Sequence, residues 1–472
     1  MAALVPLLAA CATAPGTGRT IFTGGLSEEG EADLGRQEHP KVLAQYGGAY
    51  DDPELNRYVT SVGDFLVQTS ERADLDFTFT ILDTPIVNAF ALPGGYVYIT
   101  RGLLSLAESE AELAGVLGHE IGHVTARHTA ERYGQTMAAN VAGLGLGVLL
   151  GGEAAQAGGA LGGLLLRSYS RDQEFESDML GGRYLARAGY DTRAMAGFLQ
   201  QLQAHSRLEA ELAGQPEKAD AFNIMQTHPR TTDRIERALE QSGATPVADP
   251  LVAQNVYFDK IDGMIYGDKA DEGYIRGRTF AHPKLKFAFD VPEGFRLYNR
   301  SKSVVARDGE GKALIQFDRG PTDYRGSMRD YLTRVWGAKV RLSAVEAITV
   351  NGMPAATATV SGNGKDFRLL AVRYDPKTLY RFVFLSASDR TAALSRPFRE
   401  TTYSFRKLSD REAAALKPRY LRVIEVQAGE TPARIAARMP FGEDNLKRFL
   451  VLNGFTEQTT LQPGQRVKIV TE

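Results

Sequence analysis

The string His119-Glu120-Ile121-Gly122-His123 sets two imidazoles four residues apart with a carboxylate beside the first. Residues four apart share a helix face, so both rings can converge on one metal ion. Glu120 projects about 100° from His119 on such a helix, next to the pair, within reach of a water on that ion. A catalytic zinc takes a third protein ligand and keeps its fourth position open. The same helix does not supply the third ligand through an HExxHxxGxxH pattern, because Ala126 and Thr129 occupy the required Gly and His positions. His128 lies off the ligand face by helix phase and reads as structural. The better third ligand is Glu174, in Arg171-Asp172-Gln173-Glu174-Phe175-Glu176-Ser177-Asp178. On a helix Glu174 and Asp178 share a face, so Glu174 can bind metal while Asp178 accepts the distal N–H of a ligand histidine. Glu176 is the competing carboxylate and points elsewhere if the segment is helical. The implied chemistry is hydrolysis by a zinc-activated water, with Glu120 as general base and one Zn2+ per chain.

These residues need elements to hold them. Ser109 with Glu112 three residues on has capping-box spacing and starts the helix that carries the histidines, through Leu113, Val116, Ile121 and Val124. Before it, Phe77, Phe79 and Ile81 alternate with polar residues, which predicts a strand. A second extended stretch runs over 87–100, with Pro93-Gly94-Gly95 as its turn. Leu55, Tyr58, Val59, Val62 and Leu66 predict a helix over 53–70. The stretch 134–152 is uncharged and Gly-rich. It is expected as a lid or hairpin beside the site, with a membrane-inserting hairpin as the competing reading.

At 472 residues the chain is long enough for several domains, and 43% hydrophobic with 24% charged residues is the composition of a folded, water-soluble protein. With 55 basic against 57 acidic residues, the net charge of −2 argues against nucleic acid as a partner. The expected fold class is multidomain α+β. Residues 26–250 are expected as the domain that carries the histidines, and 255–415 as an α+β domain of strands such as 285–289, 313–317, 355–360 and 380–385 with a helix at 327–335. A further small unit spans 420–472.

His119 to His128, HEIGHVTARH, together with the downstream ExxxD of Glu174 and Asp178, resembles metallopeptidase family forty-eight, of the HtpX, BepA and CAAX-prenyl-protease type. Asn88 to Gly95 and His228-Pro229 followed by Arg234-Ile235 resemble the same family, which covers roughly 50–240 here. The resemblance implies that residues 26–250 form a mainly helical gluzincin metallopeptidase domain with a small sheet, whose edge strand pairs with an extended substrate. It implies zinc on His119, His123 and Glu174, Glu120 as base, and His228 near the metal, as a catalytic group or as a fourth ligand in a resting state. Arg234 is expected to pair with Asp178.

Two further resemblances concern the ends. Leu8-Ala9-Ala10-Cys11 resembles a lipobox, which makes Cys11 a lipidation site, residues 1–25 a lipoprotein signal and tether, and the bacterial periplasm the address. Ala12 and Thr13, with no acidic residue following Cys11, favour anchoring at the outer membrane. Residues 423–431, with Leu452-Asn453-Gly454 and Leu461 to Gln465, resemble a LysM module and imply peptidoglycan as a partner, although Pro432 stands where a large apolar residue is usual. The function expected is proteolysis of unfolded or misassembled envelope proteins in quality control. The competing readings are a LysM-directed zinc peptidoglycan amidase and a non-catalytic chaperone or assembly factor.

Overall fold

The computed structural model describes residues 11–138, 168–221, 228, 231–300, 302–321 and 324–472. The 139–167 stretch, which holds most of the expected lid, lies outside the described residues. No described helix is long and apolar enough to cross a membrane. The chain divides into two units, one holding residues up to Ala210, Glu217–Tyr266 and Tyr420–Thr471, the other Glu211–Pro216, Gly267–Arg419 and Glu472.

The first unit opens with a hairpin of β1 (Cys11–Thr13) and β2 (Thr20–Phe22), paired antiparallel. This differs from the expected tether: Ile21 and Ala14 are buried, and Gly16 packs on Leu180 and Thr125 so closely that a side chain there would meet them at 2.9–3.1 Å. Helices α1 (Glu28–Gln45) and α2 (Pro53–Val67) follow, the second capped by Asp52 with Pro53 in its first turn. A three-stranded sheet has β5 (Tyr96–Thr100) at its centre, parallel to β3 (Thr78–Leu82) and antiparallel to β4 (Ala89–Leu92). The turn between β4 and β5 requires Gly94 and Gly95, both with φ near +80°, in contact with the backbones of Ala32 and Asp76 respectively. After α3 (Arg101–Leu106) comes the histidine-bearing α4 (Glu110–Thr125), whose N-cap Ser109 accepts from Glu112 N. The other half of the expected box is shifted by one residue, since the Glu112 carboxylate accepts from Glu108 N.

Helix α5 (Arg171–Arg187) carries a full capping box from Ser170 and Gln173 and lies across α4. The crossing is built from small residues. A Cβ on Gly122 would stand 2.8 Å from Ser177 Oγ, and one on Gly181 2.9 Å from His119 N. Such close approach is what brings the side chains of one helix to those of the other. Helices α6 (Arg193–Leu212), α7 (Thr231–Ala244) and α8 (Gln254–Ile261) complete the helical part.

Residues 420–471 belong to the same unit. Strand β18 (Arg419–Glu425) pairs with β19 (Arg466–Thr471) on one side and with β6 (Ile265–Tyr266) on the other, and two short helices, 432–436 and 445–452, lie between β18 and β19. Pro432 sits in the first turn of its helix behind the N-cap Thr431, where no backbone N–H is needed. The hydrophobic core runs without a break from Leu117, Ile121 and Leu104 to Leu421, Phe449 and Val467. The ammonium of Lys468, fully buried, donates to the carbonyls of Ser105, Leu106 and Ala107 at 2.8–3.0 Å and pairs with Glu108 at 2.7 Å. It thereby caps the C-terminal end of α3 just before α4 begins.

The second unit is α+β. A four-stranded antiparallel sheet has the order β17 (Arg406–Lys407), β9 (Phe287–Asp290), β8 (Thr279–His282) and β7 (Tyr274–Arg276). A seven-stranded antiparallel sheet has the order β10 (Phe295–Arg300), β11 (Ser303–Asp308), β12 (Ala313–Arg319), β16 (Thr378–Ala387), β15 (Lys365–Asp375), β14 (Met353–Gly362) and β13 (Ser343–Val350), and β12, β14 and β16 lie near the strands expected from alternation. Its core is aromatic, with Phe287, Phe289, Phe317, Tyr380, Phe382 and Phe405 in mutual ring contact. The helix expected at 327–335 is a single α-turn, Met328–Asp330, running into a wider π-helical turn, Tyr331–Trp336.

Candidate metal centre

The α4–α5 crossing gathers His119, His123 and Glu174, and the segment before α7 adds His228. One ligand atom from each of these four residues lies within 4.8 Å of every other. His119 Nε2 is 3.0 Å from His123 Nε2 and 3.6 Å from Glu174 Oε2, and His123 Nε2 is 3.4 Å from Glu174 Oε1. Ligands about 2.1 Å from a tetrahedral zinc stand about 3.4 Å apart, so the donor set fits that ion in both kind and spacing. His228 Nδ1 is 3.3 Å from His119 Nε2 and 2.9 Å from Glu174 Oε1, at the corner a fourth ligand would take. All four residues are buried.

Glu120 lies beside the cluster, with Oε1 3.7 Å from His228 Nε2. Glu120 Oε2 and His228 Nε2 are both buried without a hydrogen-bond partner among the described residues. Two such orphaned atoms on neighbouring side chains mark a place for a polar guest. Burial raises the Glu120 carboxyl above its ordinary value, and the His228 and His119 rings partly offset this. Burial opposes ionisation of Glu174 too, but His228 and Arg234 hold it well below the usual carboxylate range. His123, by burial and by its neighbour His119, is held well below the ordinary imidazole value and so stays neutral, the form in which a ring nitrogen can bind metal.

The groups behind the cluster are ordered as well. Asp178 Oδ1 is 2.8 Å from His119 Nδ1, which leaves His119 Nε2 for the centre. Arg234, on α7, donates to both Asp178 oxygens at 2.7 Å and reaches Glu174 Oε2 at 2.6 Å. The sequence-predicted residues His119, Glu120, His123, Glu174, Asp178, His228 and Arg234 are thus brought together. Cys11 is elsewhere, exposed at the start of β1. Glu176 points away from the centre, towards Thr17, Arg19 and His128.

Sequence reasoning missed Tyr169, whose ring stacks on His123 at 3.7 Å, and Arg132, which covers the other residue of that stack at 3.9 Å from the Tyr169 ring. His128 lies outside the ligand cluster, as its reading as a structural residue expects, although by another route. The phase argument assumed one continuous helix, but α4 ends at Thr125 and Arg127 takes φ +54°, turning His128 back to within 2.7 Å of His123 Nδ1.

Two openings flank the centre. One runs along Ala91, Leu92, Pro93 and Gly94 to His123. The other is lined by the apolar Val116, Met195, Phe198, Leu199 and Leu202 and opens on Glu120 and His228.

Residues 53–242 match the model of Peptidase family M48. A beta-barrel assembly-enhancing protease of Yersinia pestis is 32% identical over 238 residues, covering 48% of this chain and 46% of the relative. The protein of that name from Escherichia coli (strain K12) is 33% identical over 215 residues, 43% of this chain and 42% of the relative. A mitochondrial metalloendopeptidase OMA1 of Schizosaccharomyces pombe is 31% identical over 219 residues, 44% of this chain and 60% of the relative. The chain thus spans under two thirds of each relative's length. M48 is a zinc-dependent metallopeptidase family, and residues 53–242 are a domain of it.

Proposed function

We propose that the peptidase family M48 domain at residues 53–242 makes this chain a zinc-dependent endopeptidase acting on unfolded or misassembled proteins of the bacterial envelope. The observation that carries the reading is the convergence of His119, His123 and Glu174 beside a buried Glu120 oxygen that has no hydrogen-bond partner among the described residues. A zinc ion held by those three residues supplies Lewis acidity, which polarises a scissile carbonyl and acidifies water. The protein's own groups do the rest. Strand β4 is an edge of its sheet, so its free side can hydrogen-bond an extended peptide along the opening by Ala91 to Gly94. The apolar opening beyond Glu120 takes a side chain next to the scissile bond and helps exclude water. Glu120, kept basic enough to accept yet raised by burial, removes a proton from the attacking water and returns it to the leaving nitrogen. Asp178 and Arg234 fix the ring of His119 and the carboxylate of Glu174.

His228 acts as the fourth donor of a resting state. Four protein ligands close a zinc site, and an open position is needed for substrate, so His228 withdraws for turnover. The envelope address rests on the Cys11 lipobox-like sequence and on the names of the bacterial relatives. The β–α–α–β order of 420–471 supports, as a separate reading, a glycan-binding role for this C-terminal segment.

The full chain is expected to cut unfolded casein internally, to stop when zinc is chelated and to resume when it is restored. Solubilisation of purified sacculi without any casein cleavage would replace this reading with the amidase one. Rescue of envelope assembly in cells by Glu120→Gln would replace it with the chaperone one.

A further inference from the structure

We propose that His128, Glu176 and the N-terminal hairpin form a hydrogen-bond chain that orients His123, so that Thr17 and Arg19, far from the centre in sequence, set its zinc affinity. The inference rests on the reading of His123 as a zinc ligand.

The chain of contacts is continuous. His123 Nδ1 lies 2.7 Å from His128 Nδ1, and His128 Nε2 lies 3.1 Å from Glu176 Oε2. Both rings are buried, His128 completely. Glu176 Oε1 accepts from Thr17 Oγ1 at 2.6 Å, and Arg19 Nε donates to Glu176 Oε2 at 3.2 Å. The same guanidinium holds Glu131 through two bonds, at 2.7 and 3.0 Å, and Gln173 donates to Glu131 at 2.8 Å. The hairpin therefore clamps the outer end of the chain to α5 and to the segment after α4.

Proton placement makes the chain directional. A ligand His123 presents a bare Nε2, so its proton sits on Nδ1 and is donated to His128 Nδ1. His128 must then carry its own proton on Nε2, where it meets the Glu176 carboxylate. The reverse arrangement would set a bare His128 Nε2 against a carboxylate oxygen at 3.1 Å and place a proton on the nitrogen that faces the metal. Only the first arrangement gives every contact one donor and one acceptor. His119 has its carboxylate directly, in Asp178, whereas His123 reaches its carboxylate through a second histidine. These are positioning residues: none lies among the four clustered ligand candidates.

The test is zinc competition between the full chain and a fluorescent chelator, without any cleavage assay. Loss of an outer partner of a ligand histidine weakens metal binding by roughly 10–100-fold, and that range is expected for His128→Phe and Glu176→Ala. The Thr17→Val, Arg19→Met double variant is expected to weaken zinc binding measurably in the same direction, with its fold retained because the Arg19 side chain is 39% exposed. In the cobalt-loaded protein the paramagnetically shifted N–H resonance of His123 should exchange with solvent faster in each variant, a signature that general loosening elsewhere would not give. Zinc affinities within twofold of wild type, with unchanged N–H exchange, overturn the chain while leaving the metal centre standing. An unchanged affinity in His123→Ala overturns the metal-centre reading and the chain together. If His128→Phe fails to fold, the hairpin variant decides.

Discussion

Gly122→Ala adds one methyl group at the point where the two ligand-bearing helices touch. Its Cβ would stand 2.8 Å from Ser177 Oγ, 3.0 Å from Ser177 O and 3.2 Å from Ser177 Cα. Two of these three atoms are backbone, so a rotamer change cannot relieve the contact. Reaching an ordinary separation of roughly 3.5 Å requires α5 to retreat by about 0.5 Å at Ser177. Glu174 lies one turn before that residue and Asp178 directly after it. Helix propensity acts in the opposite direction, favouring alanine over glycine by about 1 kcal/mol. Overpacking costs about 1–3 kcal/mol, so the net effect on stability falls between neutral and about 2 kcal/mol destabilising. Metal affinity is more sensitive, because a ligand moved by half an ångström no longer converges with the other two. A loss on the order of 10-fold is expected for such a displacement. The assay pairs urea unfolding of the zinc-free protein with chelator competition for zinc. A variant more stable than wild type by the full 1 kcal/mol, with unchanged zinc affinity, would show that the crossing is not tight and that the argument for how Glu174 is placed is wrong.

Two other perturbations test separate parts of the account. Lys468→Met leaves the Glu108 carboxylate and three carbonyls buried without their cation, and should destabilise the first unit by about 3–5 kcal/mol in urea unfolding; a loss below about 1 kcal/mol would mean the ammonium contributes little there. Burial pushes the Glu31 carboxyl up to about 7 despite its pairing with Arg127. The folded state then holds that proton more tightly than the unfolded chain, so its stabilising contribution is complete below about pH 4.5 and is lost as pH rises through 7. The span is on the order of 3 kcal/mol at most. Glu31→Gln should flatten the fall in stability between pH 5 and 7, measured by urea unfolding at each pH, and an unaltered slope would remove Glu31 as its source.

What the sequence disclosed followed how local each feature is. The His119–His123 pair and the Glu174–Asp178 pair are each four residues apart on one helix, and periodicity is enough to read them. The Ser109 cap and the Gly94–Gly95 turn are local too, and the strands on either side follow from alternation. His128 was kept off the ligand face correctly, but its contact with His123 was not legible, because it depends on where α4 stops, which Arg127 decides through a left-handed backbone that no pattern announces. Tyr169 and Arg132 reach His123 by packing, without a spacing signature. The hairpin at 11–22 read as a tether because small polar residues there are explained only by their partners, Glu131 and Glu176, more than a hundred residues on. Lys468 reads as one more strand lysine, since the carbonyls it caps are over 360 residues away.

The central claim is that His119, His123 and Glu174 hold one zinc ion for hydrolysis assisted by Glu120. Zinc stoichiometry and casein cleavage measured together on wild type, Glu120→Gln and Glu174→Ala test it most directly. One zinc per chain is expected in wild type and in Glu120→Gln, strongly weakened zinc in Glu174→Ala, and cleavage by wild type alone. Cleavage by Glu120→Gln at the wild-type rate, or wild-type zinc affinity in Glu174→Ala, would contradict it.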